Sequence, residues 1–312
     1  MKALITGCGG FIGSHLADFL VERGLDVYGT VYKNCTENIK HLKNKMKIIE
    51  LDMTDRRKLE KIISDIKPDY IFHLAAQSLV LVSWENPEKT LSNNMLSTLY
   101  LFDAVRKAGI EPKILVACSS AEYGMNYKNE IPIKESKEFR PTSPYGVSKV
   151  CTDMLSYLYW KTYDMKIIRI RFFNITGTRK VLDACSDFAK GIVDVENGIK
   201  KRLEVGNLEG IRDITDVRDA VHAVWLLTER GQFGEAYNIC SGNGSKVSDI
   251  VKTLCSLSTS KVDVVQSKKK MRPVDDPLFI GDNSKIKKLG WKPKIPFEKT
   301  LSDMLDYWRK KL

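Results

Sequence analysis

No apolar stretch approaches the roughly eighteen residues that a membrane-spanning helix needs, and the run from Tyr70 to Ala76 is typical. Met1-Lys2 leads straight into the strand-like Ala3-Leu4-Ile5-Thr6, so neither a span nor a signal peptide is expected. The seven cysteines (8, 35, 118, 151, 185, 240 and 255) form no C-x-x-C pair. An odd, scattered set fits neither a disulfide framework nor a zinc site and points to a reducing cytoplasm. The four histidines (15, 41, 73 and 222) lack metal-ligand spacing, so no metal is expected. Gly/Ser/Pro-rich linkers and internal repeats are also missing.

What is present is an ordinary globular composition, 43% hydrophobic and 29% charged over 312 residues, long enough for one large domain or two unequal lobes. The net charge is +11. Its lysines are scattered, with short clusters at 43 to 47, 268 to 270 and 309 to 311, and no nucleic-acid-binding motif accompanies them. A solvated surface with local anion pockets follows, and no nucleic-acid partner is expected.

Strand-like runs at Lys2 to Thr6, Val27 to Val31, Lys47 to Leu51, Tyr70 to Leu74, Lys113 to Cys118 and Lys166 to Arg171 alternate with helical periodicity. Helices are signalled at Ser14 to Arg23, Asp55 to Ile66, Glu88 to Lys107 and Gly146 to Tyr163. The alternation predicts an α/β, doubly wound parallel sheet of the Rossmann type. After Arg171 the pattern loosens, which predicts a smaller C-terminal lobe. The expected division is 1–172 with 211–243 for a dinucleotide-binding lobe, and 173–210 with 244–312 for a substrate lobe.

Gly7-Cys8-Gly9-Gly10-Phe11-Ile12-Gly13 joins the first strand to the first helix, where such a sheet binds a dinucleotide pyrophosphate. Glycine is needed there so that backbone N–H groups and the positive helix end can reach phosphate. An acid for the ribose 2′-hydroxyl is expected at the end of the second strand. That stretch instead reads Tyr28-Gly29-Thr30-Val31-Tyr32-Lys33-Asn34, and a cation without a carboxylate favours NADP(H), with NAD(H) possible. Asp52, closing the third strand-like run, is placed to accept from an adenine amino group, or else to serve a turn or helix cap before Thr54 and Asp55.

Tyr145 and Lys149 lie four apart just after Pro144, which stacks them on one helix face. A nearby ammonium and a cofactor's positive ring are expected to bring the phenol toward neutrality. Ser119, at the end of the fifth strand, can hydrogen-bond the same substrate oxygen.

With these motifs in order, the chain resembles an extended short-chain dehydrogenase/reductase over nearly its whole length. The glycine cradle, Asp52, His73-Leu-Ala-Ala76, Asn94, Ser119, Tyr145-x-x-x-Lys149 and Arg171-Phe-Phe-Asn174 carry the resemblance. Within that family it is most similar to GDP-4-keto-6-deoxy-D-mannose reductases, themselves similar to GDP-mannose 4,6-dehydratases. Ala75-Ala-Gln-Ser78, Arg140-Pro-Thr-Ser-Pro-Tyr145, Gly206 to Asp213 and Arg272-Pro-Val-Asp275 carry that closer likeness. It implies a nicotinamide cofactor at Gly7, Gly10, Phe11, Ile12, Gly13, Lys33, Asp52, Met53, Ala75, Ala76, Asn94, Tyr145 and Lys149. A GDP-sugar would meet Gln77, Ser78, Asn174, Arg212, Arg272 and Asp275, with arginine forks on the diphosphate. A homodimer through the helices around 88–107 and 146–163 is also implied.

The expected reaction is reduction of the C4 ketone of GDP-4-keto-6-deoxy-D-mannose to GDP-D-rhamnose. A 4,6-dehydratase, a 4-epimerase and, more distantly, a non-catalytic nucleotide sensor remain open. The dehydratases that the chain resembles carry a glutamate two residues after the strand-end Ser/Thr; here that position is Ala121. Glu122 is adjacent, and if the strand continues its side chain faces away from the sugar.

Overall fold

The computed structural model describes residues 1–267, 270 and 278–312. Its strands in chain order are β1 (Lys2–Thr6), β2 (Asp26–Val31), β3 (Lys47–Glu50), β4 (Tyr70–His73), β5 (Lys113–Ser119), β6 (Ile167–Phe172), β7 (Asn174–Thr176), β8 (Leu203–Val205), β9 (Ile211–Asp216), β10 (Ala236–Ile239), β11 (Gly244–Lys246), β12 (Val264–Gln266) and β13 (Leu278–Phe279). Seven of them form one parallel sheet in the order β3-β2-β1-β4-β5-β6-β10. The order reverses between β1 and β4, and the crevice outside the strand ends at such a switch point is where open α/β sheets bind ligands.

The helices are α1 (Phe11–Glu22), α2 (Arg56–Ile66), α3 (Val80–Glu85), α4 (Pro87–Lys107), α5 (Pro144–Tyr163), α6 (Ala184–Glu196), α7 (Val217–Arg230), α8 (Val247–Ser256), α9 (Ser284–Lys287) and α10 (Phe297–Lys311). Helices α1 and α7 cover one face of the large sheet through a core containing Leu16, Leu20, Val224 and Leu227. On the other face α2, α4 and α5 pack through Leu59, Ile63, Leu101, Phe102 and Tyr159. Burial on both faces explains why the inner strands β1, β4 and β5 read as short, continuous apolar runs. No helix among the described residues is long and apolar enough to cross a membrane.

A third core, from α6, α8 and α10 with Leu203 and Val205, underlies the small sheets. The segment Ile211–Asp216, assigned from sequence to the dinucleotide-binding lobe, pairs instead with β7, β11 and β13. The sequence hides this strand because Asp213, Thr215 and Asp216 are buried polar residues, so the usual apolar alternation is missing. Asp213 shows why they are tolerated. Its carboxylate accepts from the backbone N–H groups of Ser241, Gly242 and Gly281 and ties three segments together.

Candidate active site

The turn after β1 is built by exclusion. Gly7 has φ +72°, and a Cβ there would lie 2.9 Å from the Ala75 Cα; one on Gly13 would lie 2.4 Å from the Gly7 carbonyl oxygen. Gly10 caps α1 without any side-chain hydrogen bond. The N–H groups of Phe11, Ile12 and Gly13 therefore stand at the first three helical positions, where the helix supplies no acceptor. A cradle kept free of side chains beneath an uncapped helix end suits the pyrophosphate of a dinucleotide.

Around it, Val31 is buried at the end of β2, and Lys33 is exposed with φ +46° and its Nζ 5.2 Å from the Tyr32 ring centroid. Asp52 is exposed, and its Oδ1 accepts from both the N–H and the hydroxyl of Thr54. The turn reading thus holds for one carboxylate oxygen. Met53 is buried beside Thr30.

The loop after β4 carries Ala75, Ala76, Gln77 and Ser78, of which Ala76 and Ser78 are exposed. It is held from below by Asn94, whose Oδ1 accepts from the Gln77 N–H at 2.8 Å. The Asn94 Nδ2 donates to the Gln77 carbonyl at 3.0 Å and to Ser148 Oγ at 2.9 Å. With its amide committed and 1% of its surface exposed, Asn94 braces the loop and α5. Gln77 behaves likewise: its amide nitrogen donates to the Leu79 carbonyl and Thr90 Oγ1, and its oxygen accepts from the Leu79 N–H. A motif fixes a position but not where an amide's hydrogen bonds go.

His73, at the end of β4, sits in a proton-ordered chain. Thr6 Oγ1 accepts from the N–H groups of Leu74 and Ala75 and so donates to His73 Nδ1; His73 Nε2–H then donates to Thr98 Oγ1, which donates to the Asn94 carbonyl. Burial, aided by the Lys149 charge, lowers the imidazole to about 3, so it is neutral.

Ser119, Tyr145 and Lys149 converge where β5 meets α5. Ser143 caps α5 by accepting from the Gly146 N–H, and Pro144 opens the helix. A Cβ on Gly146 would lie 2.7 Å from the Ala121 carbonyl oxygen, so the missing side chain lets this helix turn abut the end of β5. Ser119 closes β5 and Tyr145 stands in the first turn of α5, with the Ser119 hydroxyl acting to lower the phenol. Lys149 Nζ donates to the Ala117 carbonyl at 2.6 Å. Burial lowers the Lys149 ammonium and raises the Tyr145 phenol to about 12, against the pull of Ser119. Among the protein's own groups burial outweighs the favourable contacts, so Tyr145 keeps its proton.

Beneath these residues lies a charged layer that the sequence did not reveal. Asp153 receives Arg169 at 2.6 Å and Arg171 at 2.9 Å. Burial opposes its ionisation, but the two guanidiniums hold it below the ordinary carboxylate value. Glu122 is fully buried alongside: the strand ends at Ser119, a 3₁₀ turn follows, and the carboxyl folds back onto the Ser119 N–H at 2.7 Å. Glu122 does face inward, because of this turn and not because the strand continues.

In the small sheet Asn174 is exposed on β7 and donates to the Asp213 carbonyl, while Arg212 lies on the adjacent β9. Arg272 and Asp275 lie outside the described residues.

The model of the GDP-mannose 4,6 dehydratase family matches residues 4–304. The human GDP-mannose 4,6 dehydratase is 31% identical, with 97% of this chain and 90% of that protein covered. The GDP-6-deoxy-D-mannose reductase of Pseudomonas aeruginosa is 27% identical over 100% of this chain and 98% of its own length. Among solved structures, RMD from Pseudomonas aeruginosa complexed with NADPH superposes with a TM-score of 0.86 at 26% identity, covering 100% and 99% of the two chains. A UDP-glucose 4-epimerase from Thermotoga maritima with UDP-glucose gives 0.89 at 29%, with the same coverage.

Proposed function

The chain belongs to the GDP-mannose 4,6-dehydratase family, and we propose that it is an NAD(P)H-dependent reductase within it. Its substrate on this reading is the C4 ketone of GDP-4-keto-6-deoxy-D-mannose and its product GDP-D-rhamnose. The observation that carries the reading is the lack of a second acid/base at the strand end. Ala121 stands where the dehydratase motif has glutamate, and Glu122 is committed to the interior. A dehydratase must also remove the C5 proton, which a methyl group cannot do. The dehydratase reading draws on the 31% identity to the human dehydratase.

A bound nicotinamide supplies hydride to the carbonyl carbon. The N–H groups of Phe11, Ile12 and Gly13 would hold its pyrophosphate in the turn shaped by Gly7 and Gly10, whose own N–H groups donate to Thr30 Oγ1 and the Gly7 carbonyl, with Asp52, Met53, Ala75 and Ala76 lining the adenosine and ribose path. NADP(H) is favoured, with Lys33 toward a 2′-phosphate, and the similar structure with NADPH supports that choice. Tyr145 gives its proton to the developing alkoxide, Ser119 donates to the same oxygen, and Lys149 keeps cationic charge beneath them. A phenol that retains its proton is the form that a reduction consumes. Ser78, Asn174 and Arg212 would meet the GDP-sugar, together with Arg272 and Asp275. The division into a dinucleotide lobe and a sugar lobe is part of the same proposal.

A homodimer fits as well. Val147, Cys151, Met154 and Leu158 form an incompletely covered stripe on α5 at spacings of four, three and four, flanked by the exposed Met95 of α4. Such a stripe suits a second helix pair.

The test is a pair of incubations with product identification. Protein given GDP-4-keto-6-deoxymannose and NADPH should consume the cofactor and form a 6-deoxyhexose, whereas GDP-mannose with NADP should yield no 4-keto sugar. Accumulation of the 4-keto sugar in the second tube would establish a dehydratase.

A further inference from the structure

Ser119 and Glu122 cap one another. The Ala121 N–H donates to Ser119 Oγ at 3.2 Å, and the Ser119 N–H donates to Glu122 Oε1 at 2.7 Å. One lone pair of the serine oxygen is engaged by the turn, which fixes the hydroxyl at the junction with α5, where it acts on Tyr145. The capping box thus holds a hydroxyl that the proposed chemistry uses.

The other oxygen, Glu122 Oε2, has no hydrogen-bond partner among the described residues. Its nearest cation is Arg171, 3.4 Å away, which already serves Asp153, the Tyr123 hydroxyl and the Glu135 carbonyl. The charged and titratable groups around Glu122 among the described residues are Cys118 from β5, Tyr123 from the turn after it, Arg171 from β6, and Tyr145, Lys149 and Asp153 from α5. Burial and the Asp153 charge raise the Glu122 carboxyl well above the carboxylate range, against Arg171. A leucine of similar volume would fill this space without the desolvation cost of a carboxyl with one unpartnered oxygen. A carboxyl kept there at that cost implies a use for its oxygen and its charge.

We propose that Glu122 is a positioning residue for the redox set. Its carboxyl locks the turn that carries the Ser119 hydroxyl, and its negative charge, buried at the junction of β5 and α5, acts on Tyr145 and Lys149. The proposal rests on the reading of Ser119, Tyr145 and Lys149 as the hydride-transfer set, but not on which keto sugar is reduced.

Two variants separate the oxygen from the charge. Glu122→Gln retains an acceptor for the Ser119 N–H; Glu122→Leu removes acceptor and charge together. With keto sugar and NADPH, the glutamine variant should stay within about threefold of the parent kcat near neutrality while the basic limb of its kcat/KM profile moves to lower pH. The leucine variant should lose about tenfold or more in kcat with KM for the sugar nearly unchanged, as expected for a misaimed catalytic group. An unmoved basic limb in the glutamine variant, or parental kcat in the leucine variant, overturns the proposal. If the leucine variant does not fold, the glutamine variant decides alone.

A second readout needs no substrate. In ligand-free protein with ¹³Cζ-labelled tyrosine, the resonance lost in Tyr145→Phe should begin to titrate at lower pH in Glu122→Gln than in the parent. Identical titrations overturn the proposal even if the reductase reading stands. A shifted titration in a protein that reduces no keto sugar supports it while the reductase reading fails.

Discussion

At the glycine cradle the useful groups are backbone N–H donors, and they are useful because Cβ atoms are absent. At the β5–α5 junction the useful groups are side chains, held over a buried layer of two carboxyls and two guanidiniums. One end of the site is specified by volume and the other by charge. Substitutions at the two ends should therefore fail in different ways, sterically in the first and electrostatically in the second.

The sharpest test of that difference is Tyr145→Phe, which keeps the ring and its packing and removes only a hydroxyl. Turnover should fall by about 10²- to 10⁴-fold, the usual weight of general acid catalysis, while cofactor affinity and melting temperature stay close to the parent. Turnover that survives would break the comparison, since the junction would then not act through its side chains. Gly13→Ala is the converse lesion. Its Cβ would lie 2.4 Å from the Gly7 carbonyl oxygen, so the turn must shift, at an expected stability cost of about 1–3 kcal/mol. Calorimetric titration should show cofactor affinity reduced by about tenfold or more, with kcat at saturating cofactor largely retained. The smallest effect belongs to Lys33→Ala at the exposed rim. NADPH should bind about two- to fivefold more weakly, NADH should be unaffected, and the gap should close as salt is added. Equal losses for both cofactors would take Lys33 away from the 2′-phosphate.

Much of the frame was legible before any coordinates. Strands β1 to β6 were located to within a residue or two because buried parallel strands are short apolar runs. Strand β9 was missed because its buried residues are polar and satisfied by loops distant in sequence, as Asp213 is by Ser241, Gly242 and Gly281. The same limit applies at the site. The spacing of Tyr145 and Lys149 and the strand-end position of Ser119 were readable, since they follow from local periodicity. That Asn94 and Gln77 use their amides internally was not, because both bonds depend on how the loop after β4 lies over α4. The raised phenol of Tyr145 was equally hidden, as burial is a property of the whole packing and not of a motif.

The bracing of the loop after β4 bears on the thermodynamics of recognition. Residues 75 to 79 are fixed by the Asn94 and Gln77 amides and by Thr6, all groups of the chain itself. Ordering a backbone costs roughly 1–2 kcal/mol per residue in conformational entropy. Here that cost is met during folding, by groups that a ligand need not touch. A molecule arriving at this loop meets a backbone already braced, so less of the contact energy it gains there goes into ordering it.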